Sequence, residues 1–212
     1  MNKKKIECLY LILDQRYAKR DIVSIAAEAI EGGVDVIQYR EKVLSTRDAL
    51  NIAKRLRDLT EKCGGIFIVN DDPALALAVD ADGVHLGQGD IPVNIARKIL
   101  GKGKIIGLST HSIEDAAGAV SLGVDYIGFG PIFPSKTKMV ASPLGINAIG
   151  AIRDTVPLPI IAIGGIDQSN VKDVIKGGAD GAAVISSILS ATDIKEAVSE
   201  FKKRIREGRC AV

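Results

Sequence analysis

Eight short apolar runs recur along the chain, at 8–13, 34–39, 66–69, 83–86, 105–108, 126–129, 160–163 and 182–185, and they alternate with segments of helical periodicity. Few architectures accommodate that pattern. Runs of four to six apolar residues suit strands buried on both faces, which is the condition of a parallel sheet covered by helices. The intervening segments carry their own signals. In 45–63, Ala49, Ile52, Ala53, Leu56, Leu59 and Cys63 fall on one helical face, and Ser45 with Asp48 has capping-box spacing. Ser112 and Asp115 repeat the box before 116–122, and 192–206 sets Ile194, Ala197, Val198, Phe201 and Ile205 at helical spacing, as an amphipathic closing helix.

A second repeat reinforces the first. Gly32-Gly33-Val34-Asp35, Ala81-Asp82-Gly83, Gly123-Val124-Asp125 and Gly177-Gly178-Ala179-Asp180 each bring a glycine turn and an aspartate to the start of a strand. Strict alternation of this kind predicts parallel strands, and eight units within 212 residues predict one domain closed into a (β/α)8 TIM barrel. An open doubly wound sheet is the alternative. Aromatic residues make up only 4% of the chain and Trp is absent, so the core has to be built from Ile, Val, Leu and Ala.

Charge excludes some partners. Lysine and arginine number 28 against 26 aspartates and glutamates, so no overall field draws the chain to nucleic acid or to a membrane surface. Anion binding has to be local. Cys8, Cys63 and Cys210 lack CxxC spacing and are odd in number, which fits a reducing cytoplasm better than a disulfide framework. Lys3, Lys4 and Lys5 precede an apolar run too short for a signal peptide or a span.

In such a barrel, chemistry collects where strands end, and those positions are unusually polar here. Gln38-Tyr39-Arg40-Glu41-Lys42 closes the second strand, Asn70-Asp71-Asp72 the third, Gly87-Gln88-Gly89-Asp90 the fourth and Ser109-Thr110-His111 the fifth. The sixth leads into Gly130-Pro131 and on to Lys138, the seventh into Gly164-Gly165, the eighth into Ile185-Ser186. Asp71 and Asp90 leave neighbouring strands and could share one Mg²⁺, a hard cation commonly held by one or two carboxylates with water and phosphate oxygens. Each could instead cap the helix that follows, since Asp72-Pro73 and Asp90-Ile91-Pro92 both read as helix starts.

Arg40, Lys42 and Lys138 bring positive charge to the same rim, where it would hold a diphosphate. Gln38 lies two residues before Arg40, so in extended backbone both point one way. Gly164-Gly165 and Ile185-Ser186 occupy the recurrent phosphate position of barrels, where a side chain would block close approach of the anion. Ser135 and Thr137 add hydroxyl donors. His85 inside the fourth strand and His111 before a helix read as structural, as do the cysteines.

From about Leu9 to Leu189 these motifs, in this order, resemble the thiamine phosphate synthase family. They are Gln38 to Lys42, Asn70-Asp71, Asp82 to Gln88 with Asp90, Gly107 to His111, Gly130 to Pro134 through Lys138, and Ile163 to Ile166. The resemblance implies that Gln38, Tyr39, Arg40, Glu41, Lys42, Asn70, Ser109 and Lys138 bind a hydroxymethylpyrimidine diphosphate, with Arg40, Lys42, Ser109 and Lys138 taking part in catalysis. It implies Mg²⁺ on Asp71 and Asp90, and a thiazole phosphate on Ser135, Lys136, Thr137, Gly165, Ile185 and Ser186. The partners it implies are two small phosphorylated heterocycles, and it leaves room for a homo-oligomer. Three places depart from the family pattern: Asp72-Pro73, where arginine is frequent; Ser135, where threonine is common; and the apolar Met139-Val140-Ala141. They bear on loop closure and local charge.

The implied reaction transfers a pyrimidinylmethyl group to the thiazole nitrogen with loss of pyrophosphate, so cations near the leaving group are needed and a general base is not. A thiazole tautomerase, the related alternative, would need a positioned base and no diphosphate clamp. A non-catalytic sensor of thiamine-related phosphates would not need the aspartate pair. A sugar-phosphate barrel would explain Gly164-Gly165 but not Gln38 to Lys42.

Overall fold

A computed structural model describes residues 9–134 and 142–210. Strands β1 (Leu9–Leu13), β2 (Val36–Tyr39), β3 (Ile66–Asn70), β4 (Gly83–Leu86), β5 (Ile105–Thr110), β6 (Tyr126–Phe129), β7 (Ile160–Ile163) and β8 (Gly181–Val184) pair in parallel in sequence order. Leu9 lies opposite Ala182 and Leu11 opposite Val184, so the first strand meets the last and the sheet is closed. The open-sheet alternative is thereby excluded. Between the strands run α1 (Ile22–Glu31), α2 (Thr46–Cys63), α3 (Pro73–Ala78), α4 (Val93–Leu100), α5 (Ile113–Ser121), α6 (Asn147–Arg153) and α7 (Val171–Lys176). The short α8 (Ser186–Leu189) and long α9 (Ile194–Arg209) follow β8. None of the described helices is long and apolar enough to cross a membrane.

Strand pleat divides the core in two. Alternate residues of each strand face helices and join one large cluster that includes Leu11, Ile37, Phe67, Val84 and Ile127. The others form a smaller cluster of Tyr10, Ile12, Val36, Ile66, Ile68, Ile105, Tyr126, Ile161 and Ala183, all from strands, which fills the barrel interior. β4 contributes no member to it. At its inward position stands His85, half-buried.

The predicted capping boxes form: Ser45 accepts from the Asp48 N–H and Ser112 from the Asp115 N–H. Where boundaries differ, the cause is local. The run at 34–39 becomes strand only from Val36, because the Val34 N–H is taken by Ala29 O in the turn that ends α1. Cys63, read as part of an apolar face, is exposed at the last residue of α2, while Thr60 is buried with its hydroxyl turned onto Leu56 O. The closing helix runs on to Arg209 because Gly208 packs on α7, where a Cβ would stand 2.9 Å from both Ile175 Cβ and Lys172 O.

The four aspartates of the repeated phrase do more than turn the chain. Asp35 accepts from Leu9 N at 2.9 Å, Asp82 from Phe67 N at 2.9 Å, Asp125 from Ile106 N at 2.8 Å and Asp180 from Ile160 N at 2.8 Å. Each carboxylate that enters an even strand thus satisfies an N–H near the start of the preceding odd strand. Each is also paired with a cation from a helix: Lys202 of α9, Arg57 of α2, Arg97 of α4 and Arg153 of α6. The same clamp is therefore built four times round one end of the barrel. The strand tips at the other end are left for chemistry.

Candidate functional site at the barrel mouth

At the β3 exit the backbone turns sharply. Asp71 takes φ 63°, a left-handed conformation that aspartate tolerates better than most residues, while its N–H continues the ladder to His85 O at 2.8 Å. The turn separates two neighbouring carboxylates. Asp72 accepts from Leu75 N at 2.8 Å and caps α3, whereas Asp71 is held by Lys42 Nζ at 2.5 Å. Asp90 is not a cap either: the residue that opens α4 is Pro92, without a side-chain bond, and Asp90 instead accepts from Gly87 N at 2.7 Å. Both aspartates are thus released from helix capping and sit beside each other. Burial pushes the Asp90 carboxyl above its ordinary value, and the neighbouring Asp71 adds to the rise, while the Gly87 N–H and Lys42 oppose it.

Arg40 is fixed by a residue that sequence reasoning passed over. Asp14, only 2% exposed, accepts from Arg40 Nη1 at 2.5 Å and from Arg16 Nε and Nη2 at 2.9 and 2.6 Å. Burial works against its charge, but the bonds from Arg16 and Arg40 prevail and hold its carboxyl below the usual range. Asp14 is the first polar residue after β1, so the strand-end rule applied to the other exits would have found it. Arg40 itself keeps about a third of its side chain open, at 29% exposure.

The rest of the 38–42 motif divides by pleat. Gln38 is buried and points into the barrel, where its Nε2 donates to Tyr10 Oη at 2.8 Å. Tyr39 is buried in the outer layer, with its hydroxyl 3.4 Å from Glu41, and its ionisation is pushed up by burial and by that carboxylate. Glu41 accepts from the N–H groups of Lys42, Val43 and Leu44 at 2.7, 2.6 and 3.0 Å, so it shapes the β2–α2 loop. Burial opposes its charge, but those N–H donors hold its carboxyl below the ordinary value.

Asn70 ends β3 beside His85, and Ser109 near the end of β5 bonds His85 Nε2 at 2.9 Å. Gln88 reaches across to Ser109 O at 2.6 Å. His111 is structural, as its pattern suggests: Nδ1 lies 2.7 Å from Gly130 O, which ties β5 to the loop after β6. On the far side, Gly164 and Gly165 have φ of 98° and 63°. A Cβ at Gly164 would stand 2.5 Å from Pro131 Cβ, and one at Gly165 would stand 2.5 Å from Pro134 O. Close approach of the β6–α6 loop therefore requires glycine at both, a packing reason beside the anion-access reason. Ile185 leaves β8 half-buried and Ser186, exposed, starts α8. Ser135, Lys136, Thr137 and Lys138, with Met139, Val140 and Ala141, lie outside the described residues.

One mouth therefore gathers Arg40, Lys42, Asn70, Asp71, Asp90 and Ser109 from four adjacent strand exits, two cations beside two carboxylates. Comparison with known proteins identifies the family. Residues 9–188 match the family model described as thiamine monophosphate synthase. The thiamine-phosphate synthase of Chloroflexus aurantiacus is 46% identical over 196 residues, which cover 92% of this chain and 90% of that protein. That of Clostridium botulinum is 46% identical over 195 residues, 91% of this chain and 95% of that one. A solved thiamine phosphate pyrophosphorylase from Pyrococcus furiosus superposes with a TM-score of 0.88 at 41% identity, over 95% and 96% of the two chains.

Proposed function

The chain belongs to the thiamine monophosphate synthase family, and we propose that its mouth joins 4-amino-2-methyl-5-(diphosphooxymethyl)pyrimidine to 4-methyl-5-(2-phosphooxyethyl)thiazole, giving thiamine phosphate and pyrophosphate. The bond between the pyrimidine methylene carbon and the diphosphate oxygen breaks, and its electron pair leaves with pyrophosphate. A bond from the thiazole nitrogen lone pair to the methylene carbon replaces it. No proton moves, which agrees with histidines that are engaged in structural contacts.

What supports the reading is the pre-set cation pair. Asp14 holds Arg40, and Asp71 holds Lys42, before any substrate arrives. Donors fixed in advance stabilise developing negative charge without reorganisation during the reaction, and that is where catalysis of a leaving anion gains most. Lys138 belongs to the same set. The diphosphate is gripped by Arg40, Lys42 and Lys138, the pyrimidine by Gln38, Asn70 and Ser109, and the thiazole phosphate by Ser135, Lys136 and Thr137 with the backbone at Gly165, Ile185 and Ser186. Tyr39 and Glu41 set the shape of the loop that carries Arg40 and Lys42.

The aspartate pair fits Mg²⁺ by its chemistry. Two hard oxygen donors stand so close that one raises the pKa of the other. Among the described residues no group of three or more His, Cys, Asp or Glu side chains could form an all-protein cage, which matches a cation completed by water and substrate oxygens. When bound, Mg²⁺ on Asp71 and Asp90 would supply charge neutralisation to the diphosphate. A reducing cytoplasm belongs to the same reading, since Cys63 and Cys210 are free thiols.

The test mixes purified protein, both phosphorylated heterocycles and Mg²⁺, and measures thiamine phosphate and pyrophosphate. Both appear in equal amounts if the reading is right, and absence of product with intact substrates refutes it. Lys138→Ala should lower kcat by about a hundredfold or more at unchanged folding, and wild-type turnover in that variant would remove Lys138 from the mechanism.

A further inference from the structure

Asp14 holds two guanidinium groups at the tip of β1, and only Arg40 has so far been given a task. Arg16 Nη2 and Arg40 Nη1 donate to the same oxygen, Asp14 Oδ2, at 2.6 and 2.5 Å, while Arg16 Nε donates to Oδ1 at 2.9 Å. Two cations that would otherwise repel each other are thus held side by side on one buried carboxylate. The backbone fixes where they stand. Arg40 N–H donates to Leu13 O at 2.9 Å, which ties the exit of β2 to that of β1 at the mouth.

The arginines at the opposite end of the barrel show what a structural guanidinium does with its spare donors. Arg97 pairs with Asp125 and gives Nη1 to Gly101 O and Lys104 O at 3.2 and 2.5 Å; Arg153 pairs with Asp180 and gives Nη2 to Val156 O and Leu158 O at 2.5 and 2.9 Å. Arg16 and Arg40 take up no carbonyl among the described residues. Their bonds there all go to Asp14, so Nη1 of Arg16 and Nε and Nη2 of Arg40 keep their hydrogens unshared. Glu41 also attracts Arg16, but at longer range, and its oxygens are committed to the N–H groups of Lys42, Val43 and Leu44 and to the Tyr39 hydroxyl. Arg16 is 43% exposed, and its guanidinium carbon stands 5.6 Å from the centre of the Tyr17 ring. One edge is therefore fixed by Asp14 and one face by an aromatic ring, while the outer edge stays open.

We infer that Arg16 is a further anion-binding residue of the mouth, and that its open edge and the free donors of Arg40 form a cradle of two guanidinium groups for the terminal phosphate of a diphosphate. Guanidinium forks match phosphate oxygens two at a time, and a fork set in advance loses little freedom when the anion arrives. Asp14 is the positioning residue: it aligns both forks and keeps them together. The choice of a diphosphate rests on the synthase reading, which assigns Arg40 to that group; the paired forks themselves rest on the bonds to Asp14.

The probe is inorganic pyrophosphate with Mg²⁺, titrated calorimetrically into the full chain. Arg16→Met, which keeps the aliphatic stem, should weaken binding about tenfold or more, as expected for loss of a charge-assisted hydrogen bond. The decisive comparison is made in an Arg40→Met background, where Asp14 still holds Arg16. If Arg16 touches the anion, the double variant should bind about tenfold more weakly again than Arg40→Met. No further loss in the double variant would show that Arg16 acts only by steadying Arg40, and overturns the inference. Arg16→Lys keeps an ion pair with Asp14 but lacks a second edge, so it should fold like the wild type and bind pyrophosphate severalfold more weakly; wild-type affinity there also overturns the inference. In turnover assays Arg16→Met should raise KM for the pyrimidine diphosphate and leave KM for the thiazole phosphate unchanged, and equal rises in both count against it. If thiamine phosphate is made but pyrophosphate affinity ignores Arg16, the cradle alone falls. If none is made while both arginines bind pyrophosphate, the synthase reading falls and the cradle stands.

Discussion

Replacing Asp125 by alanine should destabilise the barrel by roughly 2–4 kcal/mol and leave turnover intact. Asp125 Oδ2 accepts from Ile106 N at 2.8 Å and from Arg97 Nη2 at 2.7 Å. Removing it strands an N–H at a residue with no exposure, which costs about 1–3 kcal/mol. It also removes an ion pair whose side chains are 22% and 18% exposed, worth about 1 kcal/mol in that half-screened setting. For a domain of this size each kcal/mol lowers Tm by about 2–4 °C, so the shift should be roughly 5–15 °C. Asp125→Asn keeps an acceptor and drops the charge, and should lose about half as much. Arg97→Ala leaves the Ile106 N–H bonded but frees the Gly101 and Lys104 carbonyls, with an expected loss of about 1–2 kcal/mol. Urea unfolding gives the free energies, and the Asp125→Ala/Arg97→Ala double variant gives the coupling between the two side chains. A loss below about 0.5 kcal/mol in Asp125→Ala would show that the clamp only decorates the turn. A drop in kcat of the folded variant would show that this end of the barrel is tied to the chemistry.

The matching carboxylate at the mouth should behave in the opposite way. Asp14→Asn should raise KM for the pyrimidine diphosphate by about tenfold or more, because Arg40 loses the charge that holds it, and steady-state kinetics with a fixed thiazole phosphate will measure this. The folded Asp14 carboxyl titrates below its ordinary value of 3.8, so its stabilisation is complete above that value and is lost as pH falls through the folded pKa. The stability gap between wild type and Asp14→Asn should therefore be constant above about pH 5 and close in stronger acid; a gap that widens on acidification would refute the assignment. Gly165→Ala combines a φ of 63° with a contact to Pro134 O at 2.5 Å, so it should cost about 1–3 kcal/mol and raise KM for the thiazole phosphate more than for the pyrimidine. Unchanged kinetics and unchanged Tm would remove the close-approach argument.

How far the sequence carries can be followed residue by residue. The strands, the capping serines Ser45 and Ser112, and the polar exits that hold Arg40, Asp71, Asp90 and Ser109 are local features, readable from period and punctuation. The four strand-entering aspartates were readable as turn residues but not as clamps, because Arg57, Arg97 and Arg153 stand 25, 28 and 27 residues away from their partners and Lys202 stands 167 away. Nothing local marks those pairs. Asp14 was legible in principle, as the first polar residue after the first apolar run. Tyr10 and Tyr126 read as ordinary core, since an aromatic residue in an apolar strand carries no sign of what its hydroxyl meets. Gln38 was the clue to them: an amide within a buried strand needs a buried partner.

The hydrogen bonds that link Gln38, Tyr10, Tyr126, His85 and Ser109 in turn through the barrel interior show how a barrel can place polar groups in its core without forfeiting stability. An unpaired hydroxyl or amide there would cost about 1–3 kcal/mol, yet among the described residues no buried side-chain nitrogen or oxygen lacks a partner. Satisfaction has a structural condition: the partners come from β1, β2, β4, β5 and β6, so the bonds form only when those five strands hold the register seen here. A slip of one residue on β4 would turn His85 outward and leave Tyr126 and Ser109 without it. The polar chain therefore favours one alignment of the sheet, and that alignment is the one that brings Asn70 beside His85 and sets Ser109 across from Gly128 at the mouth. Strand register and the placement of Ser109 at the mouth are in this way fixed by the same hydrogen bonds.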